Sequence, residues 1–321
     1  MSRTSTPLKV IDFHNHHIPA RFAPAVVAAA PANQRARWEA LAVKLSDETL
    51  FLKDIVAGEL SGRVVNLPGA LIADAEGRVP HDTIRAMNDD LAGLVARHPG
   101  RIYGLASVDA YDGDRSGREA ERAIRDLGLR GLFVDCARGE LMIDAPQARS
   151  TLEVAAKHGV PVFVHPVAPQ PLTRQLLPYG RIGGLFARGT ANAASLIALI
   201  EGGVFSELPG LRVVVASLAF GGMALAAELS RQSLLTSGAL AVMREHVFIE
   251  TGFHPALIRA AVDLLGADHV LAGSDFPIND GPLRGKLIAA MRDAGLAEDE
   301  QSAIAAGNCV KLLGLAEGEA A

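Results

Sequence analysis

The chain has 321 residues, 49% of them hydrophobic and 21% charged, a balance that suits one substantial buried core and leaves disorder only to the ends. A formal net charge of -5 with no basic stripe offers no counterion-release attraction to nucleic acid. There is no run of about 20 apolar residues to span a bilayer and no signal-like apolar segment behind Met1, while Cys136 and Cys309 lack CxxC partners, so a soluble cytoplasmic protein is expected.

Eight short β-branched runs follow in chain order: 9–13, 63–67, 102–108, 131–135, 161–164, 211–217, 247–251 and 269–273. Between them lie stretches of Ala, Leu, Glu and Arg at helical spacing, over 82–98, 117–127, 145–157 and 255–265, several of them ended by glycine or proline. Alternation of this kind predicts βα units around a parallel sheet, and eight of them predict a single (β/α)₈ TIM barrel over residues 1–321. The segment 307–315 is expected to close the barrel as a helix, followed by a frayed acidic tail. Two connections are long, 17–60 after the first run and 166–210 after the fifth. The first is expected to be a lid-like helical insertion, and it carries Arg21, Phe22, Arg35, Arg37, Trp38 and Lys44 as candidate contacts for an anionic or aromatic ligand.

In Ile11-Asp12-Phe13-His14-Asn15-His16 two histidines stand two apart at a strand end, so both leave the same face. In a barrel that face is the axis at the C-terminal rim, where active sites of this architecture sit. His165 ends the apolar fifth run, and Asp275 follows the eighth in Gly273-Ser274-Asp275. Because the eighth strand closes beside the first, His14, His16, His165 and Asp275 are expected to converge on one divalent ion. Zinc is the first choice and manganese, iron or cobalt are compatible. His17 and His81 fall in presumed loops and are expected to face solvent.

Several stretches together resemble the amidohydrolase-related family that includes aminocarboxymuconate semialdehyde decarboxylase and the hydroxybenzoate-type decarboxylases. They are residues 11–16, 88–91, 96–101, 159–166, 271–277 and 307–315. The resemblance implies that His14, His16, His165 and Asp275 are metal ligands, with a water of lowered pKa on the ion. The fourth run, Phe133-Val134-Asp135-Cys136, has no lysine for a bridging carbamate, so a single ion is expected. The chain departs from the family's pattern at the sixth strand, where Ser217 stands in place of a catalytic histidine. A serine hydroxyl cannot replace imidazole as a base near neutral pH.

Two groups remain to move the proton: His254, just past the seventh run, and Asp275 itself. Arg21 is the first candidate to clamp a substrate carboxylate, and Ser217 is expected to face the substrate. By resemblance the chain decarboxylates or hydrolyses a small cyclic or unsaturated carboxylic acid. A lactone or amide hydrolase is the alternative, and a metal-bearing barrel that binds without turnover is another. Homodimers are common among such relatives, so a homodimer is a further expectation.

Overall fold

The computed structural model describes residues 7–30, 32–74, 76–167, 170–232 and 238–316. All eight expected strands form. They are Ile11–His16, Gly62–Asn66, a third in two pieces (Ile102–Gly104 and Ala106–Ser107), Leu132–Asp135, Pro161–His165, Arg212–Ala216, Val247–Glu250 and Val270–Leu271. Each pairs in parallel with its successor, and the two pieces of the third strand join the sheet halves through Leu105, whose N–H donates to Val65 O at 2.9 Å. The ring closes where Phe13 N–H donates to Ala272 O at 2.8 Å and Phe276 N–H donates to His14 O at 3.3 Å. The architecture is therefore a (β/α)₈ barrel.

Two apolar layers hold it. Inside the ring, Ile11, Phe13, Val64, Phe133, Phe163 and Val214 fill the axis. The lower end of that core is plugged by Cys309, Leu313 and Leu315, so the segment expected to close the barrel does so; its helix is Asn308–Leu312, led in by Ala303–Gly307. Outside the ring, Val65, Val134, Val164 and Val215 meet the helices, among them His81–Arg97, Asp114–Arg125, Arg149–His158 and Pro255–Leu265. Residues buried on both faces explain why the strands read as nearly continuous apolar runs. The acidic tail beyond residue 316 lies outside the described residues.

Both long connections are largely helical. Residues 17–60 hold Ala23–Ala29, Arg35–Ser46 and Glu48–Ala57, the last started by Asp47, whose Oδ1 accepts from Leu50 N–H at 3.0 Å. Residues 166–210 are dominated by the 22-residue helix Gly180–Glu201. Among the described residues, no helix is long and apolar enough to cross a membrane.

One irregularity bears on the site. The first strand slips register against the second between Asp12 and Asn15, a bulge that adds a residue on the first strand. Strict alternation would put Phe13 and His14 on opposite faces. The bulge turns both toward Phe163, with ring centroids at 5.7 and 4.9 Å. Asp12, which alternation alone would place with the two histidines, instead meets Arg63 and Ser274.

His17 departs from expectation. It is buried, with its ring 5.4 Å from Phe51 of the insertion, and burial pushes its imidazole down to about 4. It follows His16 on the alternate face, and the helix Glu48–Ala57 covers that face. His81 begins the helix His81–Arg97 and is half-buried.

Candidate metal centre

His14 and His16 leave the bulged end of the first strand, and His165 ends the fifth. Donor atoms of the three imidazoles lie within 4.8 Å of one another, all three buried. Asp275 joins from the turn after the eighth strand: its Oδ1 is 3.4 Å from His14 Nε2 and 3.3 Å from His16 Nε2. Asp275 is held at φ 54°, in the left-handed region that a residue with a Cβ rarely enters. Strain of that kind persists where the surroundings over-determine it and where it aims a functional side chain. The four residues expected to converge are therefore together, with Asp275 on the side of the first-strand pair.

Two further residues set the imidazoles. Glu250, ending the seventh strand, places Oε1 3.1 Å from His14 Nδ1, and Asn66, ending the second, places Oδ1 2.7 Å from His16 Nδ1. A carboxylate and an amide oxygen only accept here, so each Nδ1 carries the proton and each Nε2 turns its lone pair inward. Gly273 makes this arrangement possible, because a Cβ there would meet Glu250 Oε2 at 2.5 Å and His14 Cβ at 3.0 Å. Neither Glu250 nor Asn66 was singled out in the sequence. Yet each is the polar residue ending a buried apolar strand, the same signal that exposed His165.

The electrostatics suit a cation. Burial holds the imidazoles of His165 and His16 below the ordinary histidine range, keeping them neutral as ligands must be. Burial also pulls His14 down, but the carboxylates of Asp275 and Glu250 outweigh it and raise it. Burial alone would raise Asp275, and the adjacent His14 and His16 lower it instead. His14 Nε2 and both nitrogens of His165 are buried without a hydrogen-bond partner among the described residues. With one donor atom from each ring gathered together, unpartnered buried nitrogens are unfavourable unless something binds there, and a divalent cation fits this donor set.

The centre opens into a cavity of about 750 Å³ whose wall includes His16, His165 and Asp275. Trp38, Leu41 and Leu45 of the insertion supply an apolar side, and Asp135, Arg138 and Arg188 supply charge. Burial, reinforced by Asp109, pushes the Asp135 carboxyl up to about 7 against the opposing pull of Arg188.

The remaining candidates lie elsewhere. Arg21 pairs with Asp90 Oδ2 at 2.6 Å and donates to Ala86 O at 2.9 Å, and it is not among the residues lining the cavity. Its side chain is too well satisfied on the helix His81–Arg97 to serve as the expected clamp. His254 is exposed at the start of the helix Pro255–Leu265 and likewise stays off the wall. Ser217 opens the turn Ser217–Ala219, and its backbone N–H donates to Glu250 Oε1 at 3.3 Å.

Known proteins share this frame. Over 247 residues the chain is 26% identical to 2-amino-3-carboxymuconate-6-semialdehyde decarboxylase of Dictyostelium discoideum, covering 73% of this chain and 67% of that one. It is 28% identical to a gamma-resorcylate decarboxylase of a Polaromonas strain over 165 residues, 49% of this chain and 50% of the relative. The chain thus matches between half and two thirds of the length of these curated relatives. In three dimensions it superposes on a dihydroxybenzoic acid decarboxylase from Polaromonas, solved with manganese and 2-nitroresorcinol. The TM-score is 0.82 at 20% identity, over 97% of this chain and 98% of that one. A model of the family described as amidohydrolase matches residues 11–315, which takes in every strand of the barrel and all four converging side chains, and the chain belongs to that family.

Proposed function

We propose that this chain is a metal-dependent decarboxylase of a small aromatic or unsaturated carboxylic acid, with His14, His16, His165 and Asp275 holding one divalent ion. The observation that carries the reading is the set of three clustered imidazoles, two of them with unpartnered buried nitrogens, opening on a cavity whose wall includes Arg188. A divalent cation in that position supplies a Lewis acid for the oxygen functions of a bound acid. Manganese in the Polaromonas relative supports that metal beside zinc, since imidazoles with one carboxylate accept either.

The chain's own residues divide the remaining work. Arg188 donates its Nε–H to Pro166 O at 3.1 Å, which orients the guanidinium at the cavity wall as the carboxylate clamp in place of Arg21. Trp38, Leu41 and Leu45 cover the bound acid as a lid and keep water from it. Overall, a carboxylate and a proton give CO₂ and a C–H bond. Asp275 is the carboxylate that touches two of the imidazoles and also faces the cavity, and it is the group placed to pass that proton. Hydrolysis would need a base to take a proton from water. Ser217 cannot be that base, and His254 is turned to solvent.

The test is purified protein loaded with manganese or zinc and assayed against hydroxybenzoates, muconate-type acids and lactones. Carbon dioxide release that vanishes in His14→Ala, together with the bound metal, supports the reading. Lactone opening without CO₂ makes the chain a hydrolase, and tight binding without turnover across the panel makes it a binding protein.

A further inference from the structure

The cavity wall holds a carboxylate that the proposed chemistry does not use. Asp135 ends the fourth strand in register with His165 and lines the cavity with Arg188. Its side chain is half-buried, and Oδ1 is withdrawn from solvent with no hydrogen-bond partner among the described residues. The neighbouring polar groups are engaged elsewhere. Arg138 is held by Asp109 Oδ2 and by Tyr111 O, each at 2.7 Å, and the Tyr111 hydroxyl donates to the backbone oxygen of Asp135, not to its carboxylate. A half-buried carboxylate with one oxygen withdrawn from solvent and unpaired is unfavourable until a donor arrives. Rotation about its terminal torsion presents either oxygen to the cavity.

We infer that Asp135 is a specificity residue which accepts a hydrogen bond from a hydroxyl or amino group on the substrate, while Arg188 takes an acid function of the same molecule. This rests on the reading of the cavity as the binding site for a small carboxylic acid. It adds the residue of the wall that recognises a hydrogen-bond donor of the acid away from its carboxylate. A site built to receive a donor discriminates against the analogue lacking it, because the acceptor is then left unpaired in the complex.

The experiment compares manganese-loaded wild type, Asp135→Ala and Asp135→Asn with benzoate and its 3- and 4-hydroxy and 3- and 4-amino isomers. Keeping the substituent off the 2-position prevents it from chelating an ion together with the carboxylate. Affinities are read by calorimetry, or as KM for any isomer that is turned over. At least one substituted isomer should bind wild type about tenfold or more tightly than benzoate. That ratio should collapse toward unity in Asp135→Ala and persist in part in Asp135→Asn, which keeps an acceptor oxygen. A ratio unchanged in Asp135→Ala overturns the inference, as does the absence of any preferred isomer. Loss of the ratio with no CO₂ from any acid would sink the decarboxylase reading and leave Asp135 in its role. Turnover with an unchanged ratio would do the reverse.

Discussion

Oε1 of Glu250 lies 3.1 Å from Nδ1 of His14, and the same oxygen accepts the backbone N–H of Ser217 at 3.3 Å. One carboxylate thus fixes the tautomer of an imidazole proposed as a metal ligand and ties down the turn after the sixth strand. Replacing such a supporting partner typically lowers metal affinity about 10- to 100-fold. Glu250→Ala should fall in that range when manganese is withdrawn by a competing chelator, and Glu250→Gln should lose less because its amide oxygen still accepts. Equal affinities in wild type and Glu250→Ala would remove Glu250 from the metal site.

Gly273 is the reason Glu250 can approach. A methyl group there would sit 2.5 Å from Glu250 Oε2, so Gly273→Ala must displace that side chain or the strand beside it. Metal content after dialysis should drop as in Glu250→Ala. A Gly273→Ala protein that keeps a full equivalent of metal would show that the contact yields without consequence.

Behind the site, Arg63 is wholly buried between Asp12, at 3.5 Å, and Asp54, at 2.5 Å, with the Phe276 ring 4.3 Å below its guanidinium. Burial raises the Asp12 carboxyl, and Arg63 is the main force opposing it. Removing one partner of a buried pair leaves an uncompensated charge, at a loss of about 3–5 kcal/mol. Arg63→Met should show that loss in urea unfolding at pH 7 with both proteins stripped of metal. A change under about 1 kcal/mol would mean that the pair contributes little to the fold.

Glu48 anchors the insertion to the helix His81–Arg97. It takes Arg97 at 3.1 and 2.7 Å and His98 at 2.7 Å, and hydrogen bonding from Arg97 holds its carboxyl down to about 2 from 4.5. A carboxyl depressed by folding stabilises the native state above its unfolded value and loses that contribution as pH falls through the folded one. Its side chain is 35% exposed, so screening limits the contribution to about 1 kcal/mol or less. The unfolding free energies of wild type and Glu48→Gln should differ by that amount at pH 7 and converge between pH 4.5 and 2. A gap that stays constant down to pH 3 would assign it to something other than the ion pairs.

The barrel was legible because strands buried on both faces and helices with one apolar stripe leave different periods in a sequence. Strand ends shifted by only a few residues, and His14, His16, His165 and Asp275 were readable from their positions at those ends. Other features depend on what is opposite in space. The bulge that sends Asp12 to Arg63 and His14 inward violates simple alternation and has no local composition signal. Arg21 looked available because nothing nearby in sequence announces Asp90, 69 residues on, as its partner at 2.6 Å. Arg188 was passed over for the converse reason, since only the folded wall shows it beside His165, whereas Asp135 ends its strand as His165 does and carried the same signal unread.

The barrel's final joint has a consequence for how long the molecule survives. There the first strand meets the chain's far end through a few backbone hydrogen bonds and the contact of Asp12 with Ser274, 262 residues apart in sequence. His14 and His16 stand on one lip of that joint and Asp275 on the other. Any cation seated among them buckles the two ends of the polypeptide together. If the four side chains hold a metal as proposed, removing it should loosen the ring at this joint, exposing the last βα unit to proteases while the other staves still hold.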